Sequence, residues 1–219
     1  MPEASADDVN RTPPPADDRA ASPSPEHDVN RPAPGELALV QLLINTADLE
    51  DGIDRIADPE SLGGWLSEHG LAAHGDEFGP DDVRRLIDFR EALRHLLLSH
   101  NGGAIDAAAV EKLDEAARAA QVVVGFAADG EPRLSPARGG LDGAIGRLLA
   151  IIARAEAEGT WARLKTCPAD DCMWAFYDFS RNQSRTWCDM SVCGNRAKAR
   201  AYRRRSAQRR GERERRGSA

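Results

Sequence analysis

The chain contains 219 residues, of which 41% are hydrophobic and 30% are charged, and its formal net charge is −7. This length allows one medium domain with a small module attached, or two small domains. The longest apolar run, Leu37–Ile44, is too short to cross a bilayer, and residues 1–35 lack the apolar stretch of a secretory signal, so we expect a cytoplasmic protein with no membrane segment.

Residues 1–35 form the first segment of the chain. They include eight of the thirteen prolines, separated mainly by Asp, Ser and Ala. A segment of this composition cannot bury enough apolar surface to offset its conformational entropy. We therefore predict a disordered, proline-rich tail.

Helical periodicity dominates residues 36–160. Apolar residues cover nearly all sides of residues 36–46, which predicts a buried helix. Asp58 followed by Pro59 is a helix-start signal, an N-cap before a proline at the first helical position. Further amphipathic helices are predicted over residues 80–100, 106–120 and 141–158.

Between the last two of these helices, the spacing of apolar residues changes from a helical to a strand pattern. Val122-Val123-Val124, the turn signal Asp129-Gly130 and residues 132–134 predict a β-hairpin. The expected fold is therefore a mostly α-helical body with a small β-hairpin element, an α+β arrangement. We find no catalytic motif in this body and do not expect an enzyme.

The four cysteines of the chain lie in two pairs, Cys167-x4-Cys172 and Cys188-x4-Cys193. Two close pairs joined by a short loop predict one structural zinc ion held by four thiolates, with no open coordination position. Disulfides, a redox pair and an iron–sulfur cluster are the alternatives, and the compartment and spacing favour them less. Gly194 is expected at positive φ and Asn195 as the N-cap of a following helix.

Positive charge is concentrated in the same region. Residues 161–219 contain 15 lysines and arginines against 6 aspartates and glutamates, whereas residues 1–160 contain 14 against 30. A basic module on an acidic body is typical of a protein that meets a polyanion. The predicted nucleic-acid-binding residues are Arg181, Arg185, Asn195, Arg196, Lys198, Arg200, Arg203 and Arg204. Neutralisation of the zinc–thiolate charge, or simple solvation, is the competing explanation for some of them.

These residues resemble the CGNR-type zinc finger, which occurs at the C-terminus of many bacterial candidate transcriptional regulators. The matching residues are Cys167, Cys172, the run from Trp174 to Asp178, Ser180, Arg181, Asn182, Trp187, Cys188, Met190, Cys193, Gly194, Asn195, Arg196, Lys198, Arg200 and Tyr202. Residues 36–160 more loosely resemble the ABATE domain that precedes this finger, through Leu37-Ala38-Leu39, Asn45-Thr46 and Trp65-Leu66.

The resemblance implies a transcriptional regulator with DNA as its partner. It divides the chain into a tail (1–35), an ABATE-like body (36–160), a CGNR-type finger (161–206) and a basic disordered tail (207–219). The body would sense an unidentified small-molecule effector or mediate homodimerisation, with Asn45 and Thr46 in a candidate ligand pocket. On the residues alone, a helix terminus is the favoured interpretation of Asn45 and Thr46.

Two other functions remain open from the sequence. An RNA-binding module would use the same charges and would stack Trp174 or Trp187 on unpaired bases. Alternatively, the zinc module could dock on an acidic protein partner, or on its own acidic body. The aromatic residues of the finger are otherwise expected to form its small core.

Overall fold

The computed structural model describes residues 31–73 and 75–217, so most of the predicted N-terminal tail lies outside the described residues. Within the described part, six α-helices alternate with short antiparallel strand pairs. The helices are α1 (Leu37–Ile44), α2 (Pro59–Glu68), α3 (Pro80–Ser99), α4 (Ala107–Ala120), α5 (Gly140–Ala157) and α6 (Asn195–Gly217). The strands are β1 (Ala47–Asp48), β2 (Ile53–Asp54), β3 (Val122–Phe126), β4 (Pro132–Pro136), β5 (Leu164–Thr166) and β6 (Ala175–Tyr177).

This architecture confirms the predicted fold class. The body is mostly helical, its β3–β4 hairpin is present, and a small four-cysteine module leads into a basic helix. None of the helices described between residues 31 and 217 combines the length and the hydropathy that a bilayer crossing requires.

The core of the body lies between α1, α3 and α5. Its side chains come from the apolar faces of these helices and from α2, and many have no exposed surface. The fully enclosed aliphatic residues include Val40, Leu43, Ile44, Leu62, Leu66, Leu86, Leu97 and Leu148. The predicted periodicity therefore identifies the buried faces correctly for these helices.

Capping residues fix where two of the body helices begin. The Asp58 carboxylate accepts hydrogen bonds from the backbone N–H groups of Glu60 and Ser61, and the Ser61 hydroxyl lies 3.1 Å from the Asp58 nitrogen, which completes a capping box. Asp106 caps α4 in the same manner through Ala108 and Ala109. Val110 lies on the apolar face predicted for α4 and was expected to be buried. It is 38% exposed, because α4 lies at the edge of the body.

The β3–β4 hairpin packs on the body through only one of its ends. Val122 opposite Pro136 lies against α5, whereas Val124 and Phe126 farther along the same strand are 65% and 76% exposed. Gly146 on α5 permits this contact, since a Cβ at that position would lie 2.6 Å from the Cβ of Pro136.

The β5–β6 hairpin joins the body to the cysteine module. Because side chains alternate across a strand, its two faces serve different cores. Leu164, Ala175 and Tyr177 belong to the core of the body, whereas Phe176 belongs to the cluster around the cysteines. The two parts therefore share one hairpin and are not joined by a linker.

At both ends of the described chain, ordered structure extends into segments that were predicted to be disordered tails. The backbone N–H of Ala33, a residue expected in the tail, donates to the Gln41 side chain at 2.7 Å, and Ala33 is buried. At the other end, α6 continues to Gly217 and does not stop at residue 206. Its Ala, Arg, Gln and Glu residues have high helix propensity, which explains the extension.

Candidate zinc centre and basic surface

The first pair of cysteines, Cys167 and Cys172, lies on a backbone turn at the end of β5, which we call the first knuckle (residues 167–173). The turn that carries Cys188 and Cys193 is the second knuckle (residues 188–194). The N–H of Cys167 donates to the Trp174 carbonyl, and the N–H groups of Cys172 and Met173 both donate to the carbonyl of Ala169. Met173, directly after the second cysteine of the pair, adopts a positive φ of 47°. This tight turn brings the two sulfur atoms to the same side of the chain.

The four cysteine sulfur atoms converge on one point. All four Sγ atoms lie within 4.8 Å of one another, with 3.5 Å between Cys172 and Cys188 and 3.7 Å between Cys188 and Cys193. Tetrahedral zinc with Zn–S bonds of about 2.3 Å would place its sulfur ligands about 3.8 Å apart. Three of the cysteines are buried and Cys172 is half-buried, so the residues fit one structural zinc ion.

Without a bound cation, the four neighbouring thiols cannot all be ionised together, because their negative charges would repel one another. The hydrogen bond from Cys172 lowers the pKa of Cys167 to about 2, whereas the interaction with Cys167 raises the pKa of Cys172 to about 12. The same neighbours raise the pKa of Cys188. A divalent cation would remove this conflict, because it allows several thiolates to remain ionised together.

The second pair leads into α6 through a wide helical turn. The Asp189 carboxylate caps this turn, Met190–Gly194, by accepting from the N–H groups of Ser191 at 2.6 Å and Val192 at 3.2 Å. Asn195 is therefore not an N-cap, contrary to the prediction, since the helical backbone has already begun; its amide donates to the Ser191 carbonyl.

Gly194 is also required for a different reason from the one predicted. It is not among the residues with positive φ. A Cβ at this position would lie 2.4 Å from the Sδ atom of Met190 and 3.3 Å from Trp187. The glycine therefore allows close approach of these side chains to the knuckle.

A buried ion pair organises the loop between the two knuckles. The Lys165 ammonium donates to the Asp178 carboxylate at 2.7 Å and to the carbonyls of Gln183 and Arg185. Burial raises the pKa of Asp178, but the hydrogen bonds from Lys165 and Ser180 outweigh it and leave that pKa below the ordinary value. Sequence reasoning did not identify Lys165, although it is one of only three lysines beside 26 arginines.

Arg185 serves the finger itself. Its guanidinium donates to the carbonyls of Trp187 and Cys188 and lies 4.9 Å from the centre of the Phe176 ring. Arg181, by contrast, is exposed on the same loop. Of the two loop arginines predicted to bind nucleic acid, only Arg181 presents its side chain freely to solvent.

Two buried arginines on α3 hold the body against the finger. Arg94 has no exposed surface and donates to the carbonyl oxygens of Met173 in the first knuckle and Ile44 in α1, at 2.7 and 2.6 Å. Arg90, one turn earlier, makes two hydrogen bonds of 2.8 Å to Asp54 and one to Thr46. Glu91 lies within 2.9 Å of both guanidinium groups.

Asn45 and Thr46, the predicted pocket residues, make structural hydrogen bonds in the contact between the body and the finger, which we call the seam. Asn45 pairs with the backbone of Ala175 in both directions, at 2.9 and 2.8 Å, and Thr46 donates to the Leu43 carbonyl. They also line a cavity of about 620 Å³ between the body and the finger. Its wall includes Gln41, Arg55, Trp65, Glu68, His69 and Trp174.

The basic helix α6 presents its charges unequally. Arg196 lies 2.5 Å from Glu50 of the β1–β2 turn and 3.6 Å from Asp171 of the first knuckle, and Arg200 lies 4.0 Å from Asp171. Lys198, Arg203 and Arg204 are exposed, and no acidic side chain pairs with them among the described residues.

Comparison with protein families gives two matches in the order expected. The family model of the CGNR zinc finger matches residues 163–206. The ABATE family model, described as "Putative stress-induced transcription regulator", matches residues 37–159. No curated protein matches the chain.

Proposed function

Because the chain belongs to the ABATE family and carries a CGNR zinc finger, we propose that it is a zinc-dependent transcription regulator that binds duplex DNA through α6. The observation that supports this most directly is the connection between the zinc centre and the basic helix. Cys193 lies within the turn that continues into α6, so the metal fixes the direction of the helix.

The length and charge of α6 suit a polyanion. A helix of 23 residues is about 35 Å long, and the exposed lysine and arginine side chains along it can neutralise several phosphates. The aromatic residues favour duplex DNA over single-stranded RNA, since Trp174 and Trp187 pack on the cysteine cluster and are not presented as a stacking platform.

The direct test is fluorescence anisotropy of the zinc-loaded full chain with a labelled random DNA duplex. We expect affinity to fall by about 0.9 log unit per tenfold increase in salt for each phosphate neutralised, and to disappear after zinc removal. A Cys188→Ser variant provides a second metal-free sample without chelator. Binding that is weak, insensitive to salt or independent of zinc would contradict the proposal.

A single-stranded RNA competitor of equal length distinguishes the second candidate function. Preferential displacement of the duplex by this RNA would favour the RNA-binding module. If neither nucleic acid binds, the finger is better explained as a docking module for an acidic protein surface. Glu50 and Asp171 already show that acidic groups of this chain can occupy its arginines.

We propose in addition that the cavity beside Asn45 and Thr46 binds the effector. Its position supports this, because Trp174 belongs to the finger and Trp65 to α2, so an occupant would touch both parts. The two indoles provide the measurement: a bound ligand should change tryptophan fluorescence, and Trp65→Phe should remove most of that change. Thermal-shift screening of small organic acids and amines tests whether the body binds an effector. Light scattering tests whether the body forms the predicted homodimer.

A further inference from the structure

Two groups of basic residues on α6 project from opposite sides of the helix. At 3.6 residues per turn, Arg196 and Arg200 project on one side of the helix. Lys198, Tyr202, Arg205 and Arg209 recur at intervals of four, three and four residues, which places them in one stripe roughly opposite Arg196. The two faces of the helix meet different surroundings.

On the first face, Arg196 and Arg200 are already paired with acidic groups of the protein. Glu50 accepts from Arg196 at 2.5 Å, and Asp171 lies within 4.0 Å of both Arg196 and Arg200. The hydrogen bond that Arg196 donates to Glu50 raises the pKa of Arg196, which shows the same pairing. A DNA phosphate approaching Arg196 and Arg200 would meet two carboxylates beside the two guanidinium groups, so little net positive charge remains at this end of the face. Arg203 lies on the same side, farther from the body.

The second face carries three exposed basic residues, followed by Glu212 three residues after Arg209. Lys198, Arg205 and Arg209 are exposed, and no acidic partner contacts them among the side chains that the structure describes. Tyr202, which lies between them, is 68% exposed although it is a large aromatic residue. An exposed tyrosine flanked by cations can donate its hydroxyl hydrogen bond to a phosphate, as such side chains commonly do at nucleic-acid backbones.

We propose that the face defined by Lys198, Tyr202, Arg205 and Arg209 is the surface of α6 that contacts the duplex backbone. Arg196 and Arg200 instead anchor α6 to the body and to the first knuckle. This assignment rests on the proposed DNA binding, and it removes Arg196 and Arg200 from the residues that the sequence predicts to contact nucleic acid. It also explains the position of Tyr202 within a helix that is otherwise strongly hydrophilic.

Two double variants of the full chain test the assignment by salt-titrated anisotropy on the random duplex. Lys198→Gln with Arg205→Gln removes two proposed phosphate contacts. It should reduce the salt slope by about 1.8 and the affinity at 0.1 M salt by about 60-fold. Glu50→Gln with Arg196→Gln removes an ion pair at constant net charge, and it should change the affinity by less than about twofold.

Tyr202→Phe adds a readout that net charge does not influence. It removes the hydroxyl donor and keeps the ring, so affinity should fall several-fold while the salt slope stays constant. Zinc content and circular dichroism of each variant establish that folding is retained.

The outcomes separate this inference from the proposed function. Equal losses in the two double variants, or a larger loss for the pair that includes Arg196, would overturn the face assignment while DNA binding stands. If the unaltered protein does not bind the duplex at all, the proposed function fails together with the assignment.

Discussion

Arg94 illustrates what a single residue contributes to this structure. It lies on the apolar stripe of α3 with no exposed surface, and its guanidinium binds backbone carbonyls from α1, from β1 and from the first knuckle. Burial lowers the pKa of this arginine, whereas the neighbouring Glu91 carboxylate partly opposes that effect. A charged residue is retained here because three carbonyl groups would otherwise lack a donor.

Arg94→Met should therefore lower the free energy of unfolding by about 3 kcal/mol, since several buried acceptors lose their partner. Arg84→Met on the same helix is the matched control. Arg84 is exposed, and among residues 31–73 and 75–217 its ion-pair partner is Asp81 alone, so its loss should cost less than about 0.5 kcal/mol. Urea denaturation of the zinc-loaded proteins measures both, and similar costs for the two variants would contradict the role of Arg94.

Residue types that bind metal could be identified from the sequence, whereas residues that hold the site in place could not. The four cysteines were predicted from their spacing and ligand chemistry together with the resemblance to the CGNR-type finger, because thiolate ligands need only the right atom at the right interval. Lys165 and Arg94 were missed because a basic residue ordinarily indicates a solvated surface. Their roles depend on carbonyl groups that only the tertiary structure brings near.

At the scale of elements, helix starts and the β3–β4 hairpin were predictable because their signals are local. Asp58-Pro59 and Asp129-Gly130 specify a cap and a turn through neighbouring residues. The β1–β2 and β5–β6 pairs were not predicted, since strands of two or three residues carry no detectable periodicity. How the β3–β4 hairpin rests on α5 likewise depends on contact across the chain.

Gly146→Ala tests that contact. The added Cβ would press on Pro136, so we expect a net destabilisation of about 1 kcal/mol despite the better helix propensity of alanine. Gly64→Ala in α2 meets open space and should instead stabilise the protein by about 0.5–1 kcal/mol. Thermal unfolding of the two variants gives opposite signs if the contact exists. A stabilising Gly146→Ala would show that the hairpin is free to move away.

The junction between α3 and β5 contains a titratable group. His100 lies 2.8 Å through Nδ1 from the Leu164 carbonyl and packs edge-on against Trp161. Burial lowers the pKa of His100 below its ordinary value, against the opposing effect of that hydrogen bond. The unfolded chain therefore binds a proton at this residue at a higher pH than the folded chain does.

Neutral His100 should contribute its full stabilisation of the folded protein above about pH 6.5. This contribution should decline as the pH falls from there toward the lower pKa of the folded state. His100→Gln cannot titrate, so the difference in unfolding free energy between the natural protein and this variant should shrink between pH 7 and pH 5. Taking the difference at each pH cancels the contribution of the cysteines. A difference that stays constant would contradict the prediction.

On the scale of the whole molecule, the acidic body and the basic finger are in direct contact. Charge and cysteine positions suggested a division near residue 160, and they could not show that β5–β6 belongs to both cores. That sharing depends on the strand register, which a sequence of this length does not reveal. The ion pair between Glu50 and Arg196 adds an electrostatic contact across the same seam.

Glu50→Gln alone should increase DNA affinity by less than about threefold, because it removes one negative charge near α6 while Arg196 stays on the side of the helix that faces away from the duplex. Asp51→Asn is the control, since it makes the same charge change one residue away and Asp51 has no ion-pair partner among the described residues. Anisotropy at fixed salt compares the two. Equal small increases are expected from long-range charge alone, whereas a clearly larger increase for Glu50→Gln would show that the released Arg196 contacts a phosphate and would contradict the assigned face.

The shared β5–β6 hairpin also has a consequence for synthesis of the protein. Trp161, Leu164, Ala175 and Tyr177 complete the core of the body, yet they follow all of its helices along the chain. A nascent chain on the ribosome therefore cannot close that core until the first knuckle has emerged. Cells short of zinc should then accumulate protease-sensitive protein with an unfinished body, so that metal supply would govern how much folded protein exists.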